Sequence, residues 1–318
     1  MEDFHILAEY YVGSKLYGTQ TPDSDTDISG FFVAPQEYYI GLKNIEELNR
    51  SEVIKDAAGK NTSAASDVKY YDIKKFIRLL LDNNPNILEH LFVPDQFKIR
   101  DSDWMQELQQ VPHRFVHVGL IPRFVGYASA QKHKMILKKD NYEAIEMVLE
   151  NLRGKDPSLL LAEIWTEYTN YIMTHPAVVI DVPNGLLRVG DLNIEKNITV
   201  KRAIRILEDR LAKATNRSEL LKKYGYDCKF ASHLIRLLLE AEELLTTGVL
   251  VFPLTYADTL VQIKSGQMEM EAVLEYAGRL EDRLRALEKE GTRVAKKPDF
   301  EFASRFTQDV IRTISILC

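Results

Sequence analysis

Three aspartates stand two positions apart in the string DSDTDIS, directly before an apolar segment. They are Asp23, Asp25 and Asp27, and a Gly-Ser pair precedes Asp25 with ten residues in between. Carboxylates this close repel one another unless a positive charge lies between them. Side chains two apart on a strand share one face, so Asp25 and Asp27 would project together and could hold Mg²⁺ ions, which prefer hard oxygen ligands. The alternative is a polar turn whose aspartates cap backbone N–H groups, and we favour it for Asp23.

The Gly-Ser pair follows an apolar segment and opens a short helical turn. Helix N-termini present free N–H groups and a partial positive charge, so Gly13 and Ser14 could contact a phosphate. The string is not a P-loop, because Thr19 and Gln20 stand where that motif needs Lys and then Ser or Thr. The aspartate string is not an EF-hand loop either, because it lacks the glycine and the glutamate which that loop requires.

Strands and short helices must position these residues. Apolar and alternating patterns predict the strands 4–12, 25–35 and 67–73. Helical periodicity predicts the helices 74–84 and 86–93 after them, and the polar segment 42–66 is typical of a mobile loop or a weak helix.

Helical periodicity prevails after about residue 100, with one hairpin at 177–189 that turns at Pro183-Asn184-Gly185. We therefore expect an α+β protein with a catalytic domain over 1–100 and a helical domain over 101–318. The predicted helices of the second domain are 103–110, 122–139, 141–153, 156–173, 199–214, 228–247 and 269–290.

Composition narrows the class of protein. The chain has 318 residues, 45% of them hydrophobic, and a formal net charge of −6. Its apolar runs are too short to span a bilayer, and its first twenty residues lack a signal-peptide pattern, so we expect a cytoplasmic protein. Two cysteines predict neither a disulfide framework nor a zinc site. The segment 196–229 holds ten Lys or Arg against four Asp or Glu, which is typical of a polyanion-binding face or of a solvated helix.

The Gly-Ser pair, ten residues and then the string DTDI resemble the signature of the DNA polymerase β-like nucleotidyltransferase superfamily. The surrounding string resembles a branch of predicted nucleotidyltransferases that includes RNA-repair-associated members. Three further strings, 72–92, 123–134 and 224–248, resemble segments of that branch. The resemblance extends from about residue 7 to about residue 290. It implies a small mixed-sheet catalytic head followed by a larger, mainly α-helical C-terminal domain.

The resemblance also implies a third metal-binding carboxylate on a later strand of the same sheet. Asp67 stands at that place, and Asp72 is the alternative, although Asp72 could simply cap the following helix. Two Mg²⁺ ions, for which Mn²⁺ could substitute, would be held by Asp25, Asp27 and Asp67. Gly13 would contact the triphosphate together with the serine that follows it.

The reaction implied is transfer of a nucleoside monophosphate from an NTP, for which we expect ATP or CTP, to a hydroxyl group, with release of pyrophosphate. The expected acceptor is an RNA 3′ end, in RNA repair or tRNA processing. Two alternatives stay open. The acceptor could be the hydroxyl of a protein or of a small molecule, or the chain could be a catalytically silent nucleotide-binding module. Nothing in the sequence indicates an oligomeric state.

A basic stripe on the helix 228–247 is a second candidate site. Lys229, His233 and Arg236 fall at i, i+4 and i+7 and so line one face. Buried cations need a partner, and we predict the phosphates of the nucleotide, with an RNA phosphate or an acidic patch of the catalytic domain as the alternatives. Possible acceptor-binding residues combine cations with aromatic rings or recur at helical spacing, although tyrosines are often packed rather than functional. They are Arg123, Tyr127, Lys132, Lys222, Lys223 and Tyr224.

Overall fold

The structure is a computed structural model that describes residues 4–22, 24–51, 66–164, 175–181, 184–213, 221 and 223–315. The chain forms two compact units. The first unit comprises Met1–Ser129, Ser232–Ile263 and Glu271–Cys318, and the second comprises Ala130–Ala231 and Lys264–Met270.

A five-stranded mixed sheet forms the centre of the first unit. In chain order its strands are β1 (His5–Tyr11), β2 (Thr26–Val33), β3 (Glu47–Asn49), β4 (Ser66–Asp72) and β5 (Lys98–Arg100). Their order in space is β3-β4-β2-β1-β5. Strands β2 and β4 are parallel, whereas β1 pairs antiparallel with β2 and β5, and β3 pairs antiparallel with β4. Because β2 and β4 are parallel neighbours, the residues at their starts lie side by side at one edge of the sheet.

The helices follow the predicted pattern in most places. In chain order they are α1 (Gly13–Tyr17), α2 (Glu37–Ile40), α3 (Ile73–Leu81), α4 (Pro85–Leu88), α5 (Asp103–Gln110), α6 (Leu120–Arg153), α7 (Val200–Lys213), α8 (Cys228–Thr247), α9 (Ala257–Lys264), α10 (Met270–Glu290) and α11 (Phe300–Ile314). The predicted helix 86–93 is the short helix α4 continued by a 3₁₀ turn, Glu89–Phe92. The predicted helices 122–139 and 141–153 are one helix, α6, because the Asp140-Asn141 pair between them contains neither Pro nor Gly to end it.

Several predictions fall wholly or partly on positions outside the described residues. They are the capping role of Asp23, the second half of the helix 156–173, Pro183 in the hairpin turn, the last residue of the helix 199–214 and most of the loop 42–66. The described part of that loop contains the strand β3.

The core of the first unit explains why the compact units do not follow the boundary near residue 100. The rings of Phe31 on β2 and Phe76 on α3 stack with their centroids 4.7 Å apart, and both side chains are fully buried. The C-terminal helix α11 also packs against α3 and β2. Burial of apolar surface is the main stabilising contribution here, and it joins helices after residue 100 to the N-terminal sheet.

The second unit contains a separate three-stranded antiparallel sheet with the order β6-β7-β8. Its strands are β6 (Val178–Asp181), β7 (Leu186–Val189) and β8 (Leu192–Glu195). Its core packs sheet residues such as Leu187 against helix residues such as Leu207. The predicted α+β class, with a small mixed sheet followed by a helical region, is confirmed. Among the described residues, none of the helices is both long and apolar enough to cross a membrane.

Candidate active site

Two of the predicted carboxylates start neighbouring parallel strands. Asp27 on β2 and Asp67 on β4 are paired in the register of the sheet. Strand neighbours in register stand roughly 5 Å apart and point to the same side of the sheet. Asp25 lies directly before β2, two positions from Asp27, and both of these side chains are half-buried while Asp67 is exposed. The structure therefore brings the backbone positions of the predicted acidic residues to one edge of the sheet.

The register separates Asp67 from the alternative, Asp72. Asp72 is the last residue of β4, five positions and roughly 16 Å further along, and its side chain leaves the opposite face. Its buried carboxylate accepts hydrogen bonds from the Tyr39 hydroxyl at 2.5 Å and from the Lys74 N–H at 2.9 Å, the latter as the cap of α3. Burial raises the pKa of this carboxyl above its usual range. Asp72 thus has a structural role, and Asp67 is the residue in register with Asp27.

Among the described residues, the Ser51 hydroxyl contacts the Asp67 carboxylate. The Ser51 Oγ lies 2.7 Å from Asp67 Oδ1 and 2.6 Å from Asn49 Oδ1, so its single proton is shared between these two acceptors. The same hydroxyl accepts the N–H of Val68 at 3.1 Å, so it bridges the side chain and the backbone of β4. This contact reduces the rotational freedom of a carboxylate that is otherwise exposed.

The Gly-Ser turn packs directly against the side chain of Asp27. Gly13 has φ +62, a conformation that disfavours every residue with a Cβ, and a Cβ placed there would overlap the Asp27 carboxylate. The N–H of Val12 donates to the carbonyl oxygen of Asp27 at 3.0 Å. Ser14 follows in the five-residue helix α1 and is half-buried. The turn that we expect to contact phosphate and the strand that carries the aspartates are thus adjacent.

The chemistry of the acidic residues suits a hard cation. Asp25, Asp27 and Asp67 offer carboxylate oxygens, and the missing Cβ at Gly13 leaves room for the Asp27 carboxylate to pack against the turn. Within the part of the chain that the structure describes, no three His, Cys, Asp or Glu side chains are gathered in an arrangement that could hold a metal ion. The three-carboxylate metal site therefore stays a prediction that the backbone register supports.

The basic stripe on α8 requires a correction. Arg236 is buried, and its Nη1 donates to Glu89 Oε1 at 2.5 Å and to Glu240 Oε1 at 2.8 Å. These buried carboxyl groups are the acidic partner that we held as the alternative, and they take the place of the nucleotide phosphates as the partners of the Arg236 Nη1. His233 is half-buried and Lys229 is exposed, and for these two residues nucleotide binding stays a prediction.

Glu89 and His90 are buried residues that contact two elements of the candidate site, α1 and β2, and the motif did not reveal them. The Glu89 carboxylate accepts the Tyr17 hydroxyl at 2.9 Å, and the His90 Nε2 lies 3.0 Å from the Ser29 hydroxyl. Burial lowers the pKa of His90 to about 4, so its ring is neutral near pH 7. The sequence did contain a signal, because a charged residue within the apolar string NILEHLF needs a partner once it is buried.

The predicted acceptor-binding residues are distributed over both units. In the first unit, Arg123 pairs with Asp82 at 3.1 Å, and the Tyr127 hydroxyl accepts a hydrogen bond of 2.8 Å from Asn84. Lys132, Lys223 and Tyr224 belong to the second unit, where the Lys223 Nζ lies 4.9 Å from the centre of the Tyr224 ring. Lys222 lies outside the described residues. The acceptor-binding role of all six residues stays a prediction.

Comparison with known proteins agrees with this geometry. A family model described as the RNA repair pathway DNA polymerase beta family matches residues 1–167, which include the Gly-Ser turn, β2 and β4. The chain is also 26% identical over 335 aligned positions, or 96% of each chain, to an uncharacterized 38.9 kDa protein in the nrdC-mobD intergenic region of Enterobacteria phage T4. The family match supports nucleotidyltransferase activity in general, with a nucleotide substrate and an involvement in RNA repair, and this superfamily generally uses divalent metal ions. Since the match covers more than half of the chain, this protein belongs to the RNA repair pathway DNA polymerase beta family.

Proposed function

We propose that this protein transfers a nucleoside monophosphate from an NTP to the 3′ end of an RNA, with release of pyrophosphate. The observation that carries the proposal is the register pairing of Asp27 with Asp67 beside Gly13. Nucleotidyl transfer is catalysed mainly by positioning and by stabilisation of charge. Asp25, Asp27 and Asp67, which we call the acidic edge, lie next to a glycine turn, and this arrangement suits both tasks. ATP and CTP are the expected donors.

Each residue of this edge has a proposed task. Asp25, Asp27 and Asp67 would hold two Mg²⁺ ions, for which Mn²⁺ could substitute, and the ions would neutralise phosphate charge and lower the pKa of the attacking hydroxyl. Gly13 and Ser14 would contact the β- and γ-phosphates. The acceptor oxygen would bond to the α-phosphorus as the bond to the bridging oxygen breaks, pyrophosphate leaves, and the hydroxyl proton passes to water. Ser51 would keep the Asp67 carboxylate oriented through the hydrogen bond described above.

An RNA acceptor is supported by the family and by the distribution of charge. The described part of the segment 196–229 presents the exposed cations Lys201, Arg202 and Arg205 on α7. Clustered cations bind the phosphates of RNA, and such binding weakens as salt concentration rises. RNA with broken ends and tRNA, both in the cytoplasm, are the substrates that we propose to test first.

The test is to incubate the protein with each α-³²P-labelled NTP, Mg²⁺ and total cellular RNA. We expect the wild type to label RNA, and we expect the double variant Asp25→Asn/Asp27→Asn to lose at least about 100-fold in rate, as expected when groups that stabilise transition-state charge are removed. Asp309→Asn, which changes an exposed carboxylate on α11, is the matched control and should label RNA like the wild type.

The destination of the label separates the alternatives. Label on a protein band or on a small molecule would replace RNA as the acceptor. Nucleotide binding without any transfer would favour a silent module. Labelling that persists in the double variant would show that the acidic edge does not perform the reaction.

A further inference from the structure

We infer that Glu89 and His90 are positioning residues that hold the two halves of the candidate active site in place. The two residues are consecutive in one 3₁₀ turn, and their side chains are 1% and 0% exposed. Neither can touch a substrate, so their effect must pass through the elements that they contact. The inference rests on the proposed function, because it assigns a role within the proposed site.

Glu89 holds the glycine turn. Both of its carboxylate oxygens lie 2.9 Å from the hydroxyl of Tyr17, which donates the hydrogen bond. Tyr17 is the last residue of α1, one helical turn after Gly13. A displacement of the Tyr17 ring would therefore move the backbone that we expect to contact phosphate.

The end of α1 has no freedom to absorb such a displacement. The carbonyl oxygen of Tyr17 accepts the N–H of Leu254 at 3.2 Å. Gly18, which follows with φ +76, lies so close to Pro253 that a Cβ at Gly18 would approach the proline Cβ to 2.9 Å. At its other end, α1 begins at Gly13 against the Asp27 carboxylate. The whole turn is thus held between the aspartates, the segment around Pro253 and Glu89.

His90 holds the strand that carries the aspartates. Its Nδ1 lies 3.2 Å from the carbonyl oxygen of Ile87, which can only accept, so the proton is on Nδ1 and Nε2 is the acceptor. The Ser29 hydroxyl therefore donates to Nε2 across 3.0 Å. Ser29 stands on β2 two positions after Asp27 and shares its face, so this bond lies directly beside the proposed metal ligand. The ring is held in turn by edge contact with Phe76.

The Glu89 carboxylate is itself held by Arg236. The guanidinium donates to Glu89 and lies 4.4 Å from the centre of the Tyr17 ring, so Arg236 contacts both members of the Tyr17–Glu89 hydrogen bond. Buried charges lose their hydration, which only close and well-oriented partners offset, so the arrangement tolerates little displacement. One short turn consequently links α1 to β2 through two adjacent side chains.

The test uses two variants that remove the far partner of each hydrogen bond and leave the buried charges in place. Tyr17→Phe removes the bond to Glu89, and Ser29→Ala removes the bond to His90. The matched controls belong to the second unit. Tyr142→Phe removes the hydrogen bond of 2.5 Å between Tyr142 and Glu146, and Ser158→Ala removes the hydrogen bond of 2.6 Å from the Ser158 hydroxyl to Asp156 Oδ1.

Two readouts are measured on each full-length variant. Hydrogen–deuterium exchange of the peptides 11–20 and 24–33 reports the mobility of the turn and of β2 without any need for activity. Steady-state kinetics with labelled NTP report KM and kcat. We expect Tyr17→Phe to increase exchange in 11–20 and to raise KM for NTP about tenfold, since small misplacements at a reacting site cost one to two orders of magnitude. We expect Ser29→Ala to increase exchange in 24–33 and to lower kcat by a similar factor with little change in KM.

The outcomes separate this inference from the proposed function. Exchange in both peptides equal to that of the wild type would overturn the positioning role, whether or not the protein transfers nucleotides. Equal changes in the control variants would also overturn it, because they would indicate a general loss of stability. Increased exchange in the two peptides of a protein without nucleotidyltransferase activity would support the positioning role and overturn the proposed function alone.

Discussion

The guanidinium of Arg236 lies 2.5 Å from the carboxylate of Glu89, although 147 positions separate the two residues in the chain. Both side chains are buried, and Glu240 joins the same guanidinium from the next turn of α8. One positive charge therefore faces two carboxyl groups in a region that excludes water. Burial is the main cause that raises the pKa of Glu240, to about 8, and Glu89 adds to it by repulsion while Arg236 opposes it.

The raised pKa of Glu240 predicts that stability falls as pH rises. The unfolded chain releases this proton near the ordinary pKa of 4.5, whereas the folded protein keeps it up to about pH 8. The folded state thus binds more protons between these values, and the free energy of unfolding decreases with rising pH across that window. Gln cannot ionise, so this pH dependence is absent from the variant Glu240→Gln. The stability of Glu240→Gln relative to the wild type should therefore increase by on the order of 2 kcal/mol between pH 5.5 and pH 8.

Urea denaturation at pH 5.5, 7 and 8 measures this difference. Glu271→Gln, a change at an exposed glutamate of α10, is the control. Its free energy of unfolding should change with pH as that of the wild type does. If the free energy of unfolding changes with pH in Glu240→Gln as it does in the wild type, the folded protein does not hold a proton at Glu240.

Arg236 should contribute to stability rather than to nucleotide affinity. Arg236→Met leaves the buried carboxyl groups of Glu89 and Glu240 without their cation, and removal of one partner of a buried pair costs about 3–5 kcal/mol. Arg283→Met is the matched control, since Arg283 is 64% exposed and pairs with Glu242 of α8. Loss of an exposed pair costs about 1 kcal/mol or less. Urea denaturation compares the two variants, and a stable Arg236→Met protein with a raised KM for NTP would restore the nucleotide-binding role.

Local patterns in the sequence predicted much of the N-terminal architecture. Apolar and alternating segments around Asp25 and Asp27 predicted the strands β1, β2 and β4. The predicted ends agree with the observed ends within two residues. Gly13 was identified by its spacing from the aspartates, and its positive φ agrees with the need for glycine at that turn. These features depend on neighbours in the chain, which a sequence displays directly.

Features that depend on distant parts of the chain could not be predicted in the same way. Periodicity placed Arg236 on an otherwise apolar helix but did not identify Glu89 as its partner, because a contact across 147 positions leaves no local pattern. The compact units differ from the predicted boundary for the same reason, since the packing of α11 on β2 joins opposite ends of the chain. The pairing of Ser29 with His90 is also a tertiary contact between separate elements.

The conformation of Gly13 predicts a large effect of adding a single methyl group. Gly13→Ala would place a Cβ at φ +62 against the Asp27 carboxylate, which costs about 1–3 kcal/mol of backbone strain before the overlap is relieved. The displaced carboxylate should lower the rate of nucleotidyl transfer about 100-fold. Initial rates with labelled NTP and urea denaturation measure the two effects.

Gly126→Ala is the matched control for this change. Gly126 lies within α6, and a Cβ there would meet nothing within 4 Å. Alanine should stabilise the helix by about 0.5–1 kcal/mol and leave the rate unchanged. Equal activity of the two glycine variants would mean that the close approach of Gly13 to Asp27 has no functional importance.

Substitution of the two candidates for the third carboxylate should have different effects, on activity at Asp67 and on stability at Asp72. Asp67 is exposed and in register with Asp27, so Asp67→Asn should fold normally and lose activity by at least about 100-fold if Asp67 helps to stabilise transition-state charge. Asp72 is buried, caps α3 and accepts the Tyr39 hydroxyl. Asn can still cap the helix but replaces the oxygen that accepts this hydroxyl, so Asp72→Asn should lose about 1 kcal/mol of stability and keep its rate per folded molecule. Initial rates over a range of Mg²⁺ concentrations, normalised to the folded fraction from urea denaturation, separate the two effects. Ser51→Ala should raise the Mg²⁺ concentration needed for half-maximal rate, because Asp67 then loses the hydroxyl that orients it. The opposite result, an inactive but stable Asp72→Asn and a fully active Asp67→Asn, would place the third ligand at the other end of β4 and would separate it from Asp27 by the length of the strand.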